Sequence, residues 1–157
     1  MSQSIVNTGK SVRQMVLHQA QSIPEELYDV QPAPFNNTIR WNIGHIVYCL
    51  DHFLSMSFKS ASQLPASYAG LFNTGTKPAD WTAAPPTKEE LIQQLSAQLN
   101  GISEISPDKL EEKLGAPVQM GPFRFETVGE LVNFAFIHEA MHFSAIGCLS
   151  KAAQHKQ

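Results

Sequence analysis

The sequence is poor in charged residues, and those it has are scattered. Only 16% of its 157 residues are charged, against roughly 25% in an average soluble protein. Eleven Lys and Arg are outnumbered by 14 Asp and Glu, so the basic surface that nucleic-acid binding requires is missing. We therefore expect no nucleic-acid partner. Sparse charge also leaves more apolar surface than usual, which favours a homo-oligomer.

Membrane and export signals are missing as well. No stretch approaches the ~18 uncharged apolar residues of a transmembrane helix, which predicts no membrane partner. The opening residues, MSQSIVNTGKSVRQ, contain no basic segment followed by an apolar one, unlike a secretory signal. The two cysteines, Cys49 and Cys148, are too few for the disulfide framework of a secreted domain. These absences predict a cytoplasmic protein whose buried cysteines are more often inert than reactive.

Four segments carry apolar residues at helical spacing, and start signals mark where three of them begin. The predicted segments are about 4–21, 37–58, 87–102 and 127–153. Asn37 is the expected cap of the second, and the third and fourth follow the capping boxes that begin at Thr87 and Thr127. Ser22-Ile-Pro-Glu25 resembles a further capping box. The fourth segment is apolar nearly all round and is expected to be the most buried helix.

Long connections separate these helices. Residues 59–86 are rich in Pro, Gly, Ser and Thr, and connections of that length often shape a binding site. A short helix is expected after Ser106-Pro107, and a hairpin near Val118–Phe125 is the only strand candidate. The pattern predicts one all-α domain over residues 1–157, a four-helix bundle with long connections.

Two histidines four residues apart carry the first functional signal. His138 and His142 project from one face of the fourth helix, where both imidazoles could bind one ion at ~2.0–2.1 Å. Their neighbours are apolar, so the ring nitrogens need partners: either a metal or ordinary hydrogen bonds within the core. His45, on the second helix, is a weak signal alone. It gains weight because helix bundles commonly build metal sites from facing helices.

The same pair also fits H-E-x-x-H, the zinc-peptidase pattern in which Glu139 would act as general base. Such peptidases take a third ligand from downstream, but no Asp or Glu follows His142 in this sequence. The extended metzincin pattern requires Gly and His where the chain has Ala145 and Cys148. A peptidase is therefore disfavoured, while Glu139 remains a candidate catalytic base beside a metal.

An ordered set of short motifs resembles the DinB-like (DinB/YfiT) superfamily of metal-binding bundles, over nearly the whole chain. The matching pieces are Trp41-Asn-Ile-Gly-His45-Ile, Phe72-Asn-Thr-Gly75 with Lys77-Pro78, Pro86-Thr-Lys-Glu-Glu90-Leu, and Thr127-Val-Gly-Glu130 leading into His138-Glu139-x-x-His142. The resemblance implies an up-down-down-up bundle, frequently dimeric, with a metal on a histidine triad. His45, His138 and His142 match the ligand positions one by one.

The resemblance also narrows the expected chemistry. It implies one divalent ion, with zinc or nickel first and iron or manganese also possible. Several members of the family are thiol S-transferases that use bacillithiol, mycothiol or glutathione; others are hydrolases or isomerases, and many have no known activity. Many relatives continue the last motif with Gly and Gln, where this chain has Ser144 and Ala145. This departure leaves the ligands intact but changes residues beside them.

Three functions follow as hypotheses. The first is a metal-dependent transferase that acts on a small thiol, with Trp41, Tyr48 and Phe72 as walls of the pocket. The second is a metal-dependent hydrolase of small amides or esters. The third is a non-catalytic bundle that binds a metal or ligand.

Overall fold

The computed structural model of the protein describes residues 2–155, and most of them are helical. The predicted domain of residues 1–157 therefore extends beyond the described residues at both ends. Over residues 2–155 the chain forms four long α-helices, two short α-helices and one hairpin. In chain order these are α1 (Ser2–Ser22), α2 (Ile39–Phe58), α3 (Ser67–Phe72), α4 (Lys88–Ser103), α5 (Pro107–Leu110), β1 (Lys113–Met120), β2 (Phe123–Thr127) and α6 (Val128–Gln154).

Threonine caps begin three of the long helices. The capping boxes predicted at Thr87 and Thr127 are both confirmed, each with a reciprocal bond to the glutamate three residues later. α2 begins one residue later than expected, because Thr38 rather than Asn37 accepts the hydrogen bond from the Trp41 amide. The capping box predicted at Ser22 is wrong: this residue ends α1, and its hydroxyl donates to the Gln19 carbonyl.

The long connection is more ordered than its composition indicates. Within residues 59–86 the chain forms α3 and a 3-10 turn at Pro78–Asp80, neither of which was predicted. The hairpin is confirmed but is longer than predicted. β1 and β2 are antiparallel, with Gln119 opposite Arg124 and Met120 opposite Phe123.

Apolar side chains from all four long helices form the core. α6 packs against α1 on one side and α2 on the other. The expectation that α6 is the most buried helix is wrong, since α2 is shorter yet has more buried residues. The outward face of α6 is open, and there Ile137 and Met141 are 51% and 56% exposed. Within residues 2–155, no helix is both long and apolar enough to cross a membrane.

Candidate metal centre

Three histidines from two helices converge in the structure. His45 comes from α2, and His138 and His142 come from neighbouring turns of α6. One ring nitrogen of each residue lies within 4.8 Å of those of the other two. His45 is buried, and the other two rings are half-buried. The structure thus brings together the three residues that the sequence singled out, and the group could hold a metal ion.

The outer nitrogen of His45 is fixed by a backbone carbonyl. His45 Nδ1 lies 2.6 Å from the carbonyl oxygen of Phe72, at the end of α3. A carbonyl oxygen only accepts hydrogen bonds, so Nδ1 carries the proton and donates it. In a neutral ring, the lone pair is then on Nε2, the nitrogen that faces His138. This is the tautomer that a metal ligand needs, held by an outer hydrogen bond.

His142 is held in the same way by Asn42. Its Nδ1 lies 2.8 Å from Asn42 Oδ1. The amide orientation is fixed independently, because Asn42 Nδ2 donates to Asn37 Oδ1 at 3.0 Å and to the Thr38 carbonyl at 2.8 Å. Asn42 Oδ1 must therefore accept, and His142 donates from Nδ1. The Nε2 of the neutral ring again carries the lone pair.

The spacing of the inner nitrogens suits a shared ion. His45 Nε2 and His138 Nε2 are 3.3 Å apart. Two nitrogens that each lie ~2.0–2.1 Å from a tetrahedral ion are about 3.4 Å apart. The alternative partner for this pair is a direct hydrogen bond, in which His138 Nε2 donates to His45. The donor set, and the spacing of this pair, therefore suit a divalent metal ion.

A glycine lets the long connection reach the site. A β-carbon at Gly44 would lie 2.3 Å from the Phe72 ring, so only glycine allows Phe72 to pack this close to α2. That packing places the Phe72 carbonyl beside His45. The buried Trp41 ring stacks on His45 with ring centroids 4.6 Å apart, and its Nε1 donates to Thr76 Oγ1 at 3.0 Å. The connection therefore helps to form the site, as its length predicted.

The other predicted pocket residue and the remaining histidines lie outside the group. Tyr48 stacks on His52 with ring centroids 6.1 Å apart, on the flank of α2. His18, His52 and His155 are all exposed. Among residues 2–155, none of the three belongs to the converging group.

Glu139 lies on a different face of α6 from the histidines beside it. Its carboxylate is buried against the Arg13 guanidinium of α1, with Nη2 donating to Oε2 at 2.9 Å. The second contact, Nε to Oε1 at 2.8 Å, has the distance of a hydrogen bond but not the angle, so it is an ionic contact. Burial raises the pKa of Glu139, and the charge of Arg13 opposes that rise. The role of Glu139 as a base stays a prediction. Both oxygens of its carboxylate contact Arg13.

Two polar features near the histidines were not predicted as site features. The first is Asn42. A polar amide within the apolar stretch before His45 is the feature of the sequence that could have indicated it. The second is Cys49, whose Sγ lies 3.4 Å from His45 Nε2. Burial raises the pKa of the Cys49 thiol to about 12, so the thiol is neutral at pH 7. Cys148 is exposed on α6, so the expectation of buried cysteines is wrong for this residue.

Burial also determines the charge of the three rings. Burial first, and the neighbouring histidines second, lower the pKa of His138 to about 4 and that of His142 to about 3. Burial lowers the pKa of His45 too, while the bond to Phe72 partly opposes the change. All three rings are therefore neutral at pH 7. Neutral imidazole is the form that binds a metal, so no proton has to leave first.

Comparison with known proteins identifies the family and supports the fold. Residues 10–146 match the model of the DinB superfamily, and the chain belongs to that superfamily. A crystal structure described as a conserved protein of a locus from Enterococcus faecalis superposes with a TM-score of 0.69 at 15% identity, covering 99% of this chain and 98% of that chain. This likeness shows the fold alone. No curated protein sequence matches significantly.

The lowered histidine pKa values predict an acid-sensitive metal-free protein. Between pH 7 and about pH 4 the unfolded chain gains protons on these histidines, whereas the folded chain does not, so the free energy of unfolding falls as the pH falls. Each histidine contributes at most about 1.4 kcal/mol per pH unit. Urea unfolding with a chelator present should show a shallower pH dependence for His142→Gln than for wild type. The exposed control His18→Gln should keep the wild-type slope, and a wild-type slope in His142→Gln would contradict the assignment.

Proposed function

We propose that this chain binds one divalent metal ion through His45, His138 and His142 and acts as a metal-dependent S-transferase on a small thiol. The observation that carries the proposal is the arrangement of the ring nitrogens. Two outer nitrogens are engaged as donors, which leaves the inner lone pairs of His45 and His142 free, and one ring nitrogen of each of the three histidines lies within 4.8 Å of the other two. Membership of the DinB superfamily supports it. Zinc and nickel are the first candidates and iron or manganese are also possible, because imidazole suits several such ions.

Each residue around the proposed ion would have a distinct role. The three histidines would hold the ion, and the Phe72 carbonyl and Asn42 would keep the rings oriented. The Trp41 ring would exclude water from one side of His45. His138 and His142 are half-buried, which leaves a side from which a small molecule can approach. A bound divalent ion would lower the pKa of a coordinated thiol and so supply a nucleophile at neutral pH.

A hydrolase of small amides or esters is the second candidate. The contact between Arg13 and Glu139 makes it less favoured than the transferase. Water has a pKa near 15.7 and a thiol one of about 8.5, so activating water demands a larger shift and often a base. The nearest predicted base, Glu139, is paired with Arg13. A thiol needs less help, so the contact favours the transferase. The third candidate is a non-catalytic metal-binding or ligand-binding bundle, favoured by Ser144 and Ala145 beside the last ligand.

We also infer the up-down-down-up order of the four long helices. In support, Asn42 near the start of α2 bonds to His142 in the second half of α6. Phe53 near the end of α2 meets Phe134 in the first half of α6. α2 and α6 therefore run in opposite directions, as that order requires. A homodimer and a cytoplasmic location remain part of the proposal, and the open apolar face of α6 is compatible with the former.

The metal proposal predicts one bound ion that depends on each histidine. Protein purified without an affinity tag and reconstituted with Zn²⁺ or Ni²⁺ should bind one equivalent per chain. His142→Ala should bind at least about 100-fold more weakly, since even loss of an outer-shell partner costs about 10–100-fold. The control is His18→Ala, on the exposed face of α1. Stoichiometric, wild-type binding by His142→Ala in a calorimetric titration would show that the site is drawn wrongly.

Asn42 should affect metal affinity without touching the ion. Asn42→Leu removes the acceptor that fixes the His142 tautomer, and we expect a loss of about 10–100-fold in affinity at unchanged stoichiometry. Competition with a chromophoric chelator measures the change. The matched control is Asn100→Leu, at an exposed position of α4. Equal affinities for the two variants would contradict the role given to Asn42.

The transferase proposal predicts turnover that needs both the metal and a thiol. Metal-loaded protein is assayed with an electrophilic substrate and bacillithiol, mycothiol or glutathione. Loss of the electrophile should be faster than in the uncatalysed reaction with at least one thiol, and His142→Ala should abolish the difference. Turnover without any thiol would favour the hydrolase instead. No turnover with any of the three thiols would favour the non-catalytic bundle.

A further inference from the structure

A second polar group crosses the bundle on the face of α6 next to the one that carries the histidines. Its centre is Arg13 of α1, which is 0% exposed. The guanidinium contacts the Glu139 carboxylate through Nη2 and Nε, and its Nη1 donates to Gln98 Oε1 of α4 at 2.8 Å. Gln98 Nε2 in turn donates to the Val47 carbonyl of α2 at 2.8 Å. One run of polar contacts therefore connects all four long helices.

This run of contacts attaches to both helices that carry the histidines. Glu139 is next to His138 in the sequence and three residues before His142. Val47 is two residues after His45. The polar group therefore contacts α6 between the two proposed ligands His138 and His142. It contacts α2 close to the proposed ligand His45. Through Arg13 and Gln98 the two helices are tied to common partners in α1 and α4.

α6 needs such a constraint because its apolar residues define its rotation poorly. The helix is apolar over much of its circumference, with Ile137 and Met141 exposed on its outer face. Apolar burial has little directional preference, so several rotations of such a helix bury similar areas. A shift by one residue turns a helix by about 100° and would carry both histidines away from His45. A buried carboxylate can meet its guanidinium at only one rotation, and leaving either charge unpaired is costly.

We propose that Arg13, Gln98 and Glu139 form a positioning unit that sets the rotation of α6 relative to α2 and so assembles the three-histidine site. The inference rests on the proposed metal function and deepens it. In this assignment Glu139 positions its neighbours through Arg13 and does not transfer protons. Two buried charges are retained because an apolar pair would pack equally well but would not fix the rotation. Buried polar groups that specify the register of helices set a precedent for this use.

The test replaces the ion pair by apolar residues of similar size. The double variant Arg13→Met/Glu139→Leu leaves no unpaired charge, so it should fold with a thermal midpoint equal to or above that of wild type. We expect the affinity of this variant for Zn²⁺ to fall at least about 10-fold, which is the size of effect seen when a residue that orients a metal ligand is removed. The matched control is Arg124→Met/Glu126→Leu, which removes an exposed ion pair of the hairpin. The control should keep wild-type affinity.

A second measurement needs no metal. In the metal-free wild type, ¹⁵N NMR of the imidazoles should show His142 as one tautomer, protonated at Nδ1 toward Asn42. The double variant should lose this uniform state, and the hairpin control should keep it. If wild-type protein binds no Zn²⁺, the proposed metal function fails, while the tautomer comparison still decides whether the unit positions the rings.

A third variant guards against a folding defect in the double variant. Gln98→Met cuts the link to the Val47 carbonyl and one bond to Arg13 but leaves the ion pair in place. It should remain folded and bind Zn²⁺ more weakly than wild type, with a smaller loss than the double variant. If a folded double variant keeps wild-type affinity and the single His142 tautomer, the ion pair serves stability alone and the inference is overturned. If the double variant does not fold, wild-type affinity and tautomer in Gln98→Met overturn it equally.

Discussion

Imidazole nitrogens inside an apolar bundle need partners, and this requirement accounts for the structure around His45, His138 and His142. An unsatisfied buried polar group costs free energy on the scale of a lost hydrogen bond. The Phe72 carbonyl and the Asn42 amide each satisfy one outer nitrogen. The main polar neighbours of the inner nitrogens are the inner nitrogens of the other rings, and burial keeps the rings uncharged. A divalent ion is the partner that would satisfy all three at once.

The rest of the bundle brings these groups to one place. α2 carries His45 together with Asn42, so one helix supplies both a ligand and the group that orients another ligand. The long connection returns to α2 and places the Phe72 carbonyl there, because Gly44 allows the aromatic ring to pack closely. α6 carries the other two ligands, and Arg13 contacts the adjacent face of this helix through Glu139. Fold and site are therefore coupled, since the same contacts that define helix rotation also define the directions of the nitrogens.

Much of this could be predicted from the sequence, for local reasons. Capping boxes at Thr87 and Thr127 and apolar spacing act within a few residues, so the long helices and the hairpin were found. Pairing His138 with His142 needed only helical periodicity, whereas His45 needed the family resemblance. The partners of Asn42, Glu139 and the Phe72 carbonyl depend on contacts between distant segments. Such contacts leave no periodic signal, which is why α3, the Asn42–His142 bond and the buried Arg13 pair were missed.

The most direct test of the central claim is anomalous diffraction from crystals of Zn²⁺-loaded protein, recorded on both sides of the zinc absorption edge. The account predicts one strong anomalous peak per chain, at ~2.0–2.1 Å from one ring nitrogen of each of His45, His138 and His142. The Nδ1 contacts of His45 with the Phe72 carbonyl and of His142 with Asn42 should persist. A peak at any other residues, or no peak between these three rings in crystals grown with excess Zn²⁺, would contradict the account.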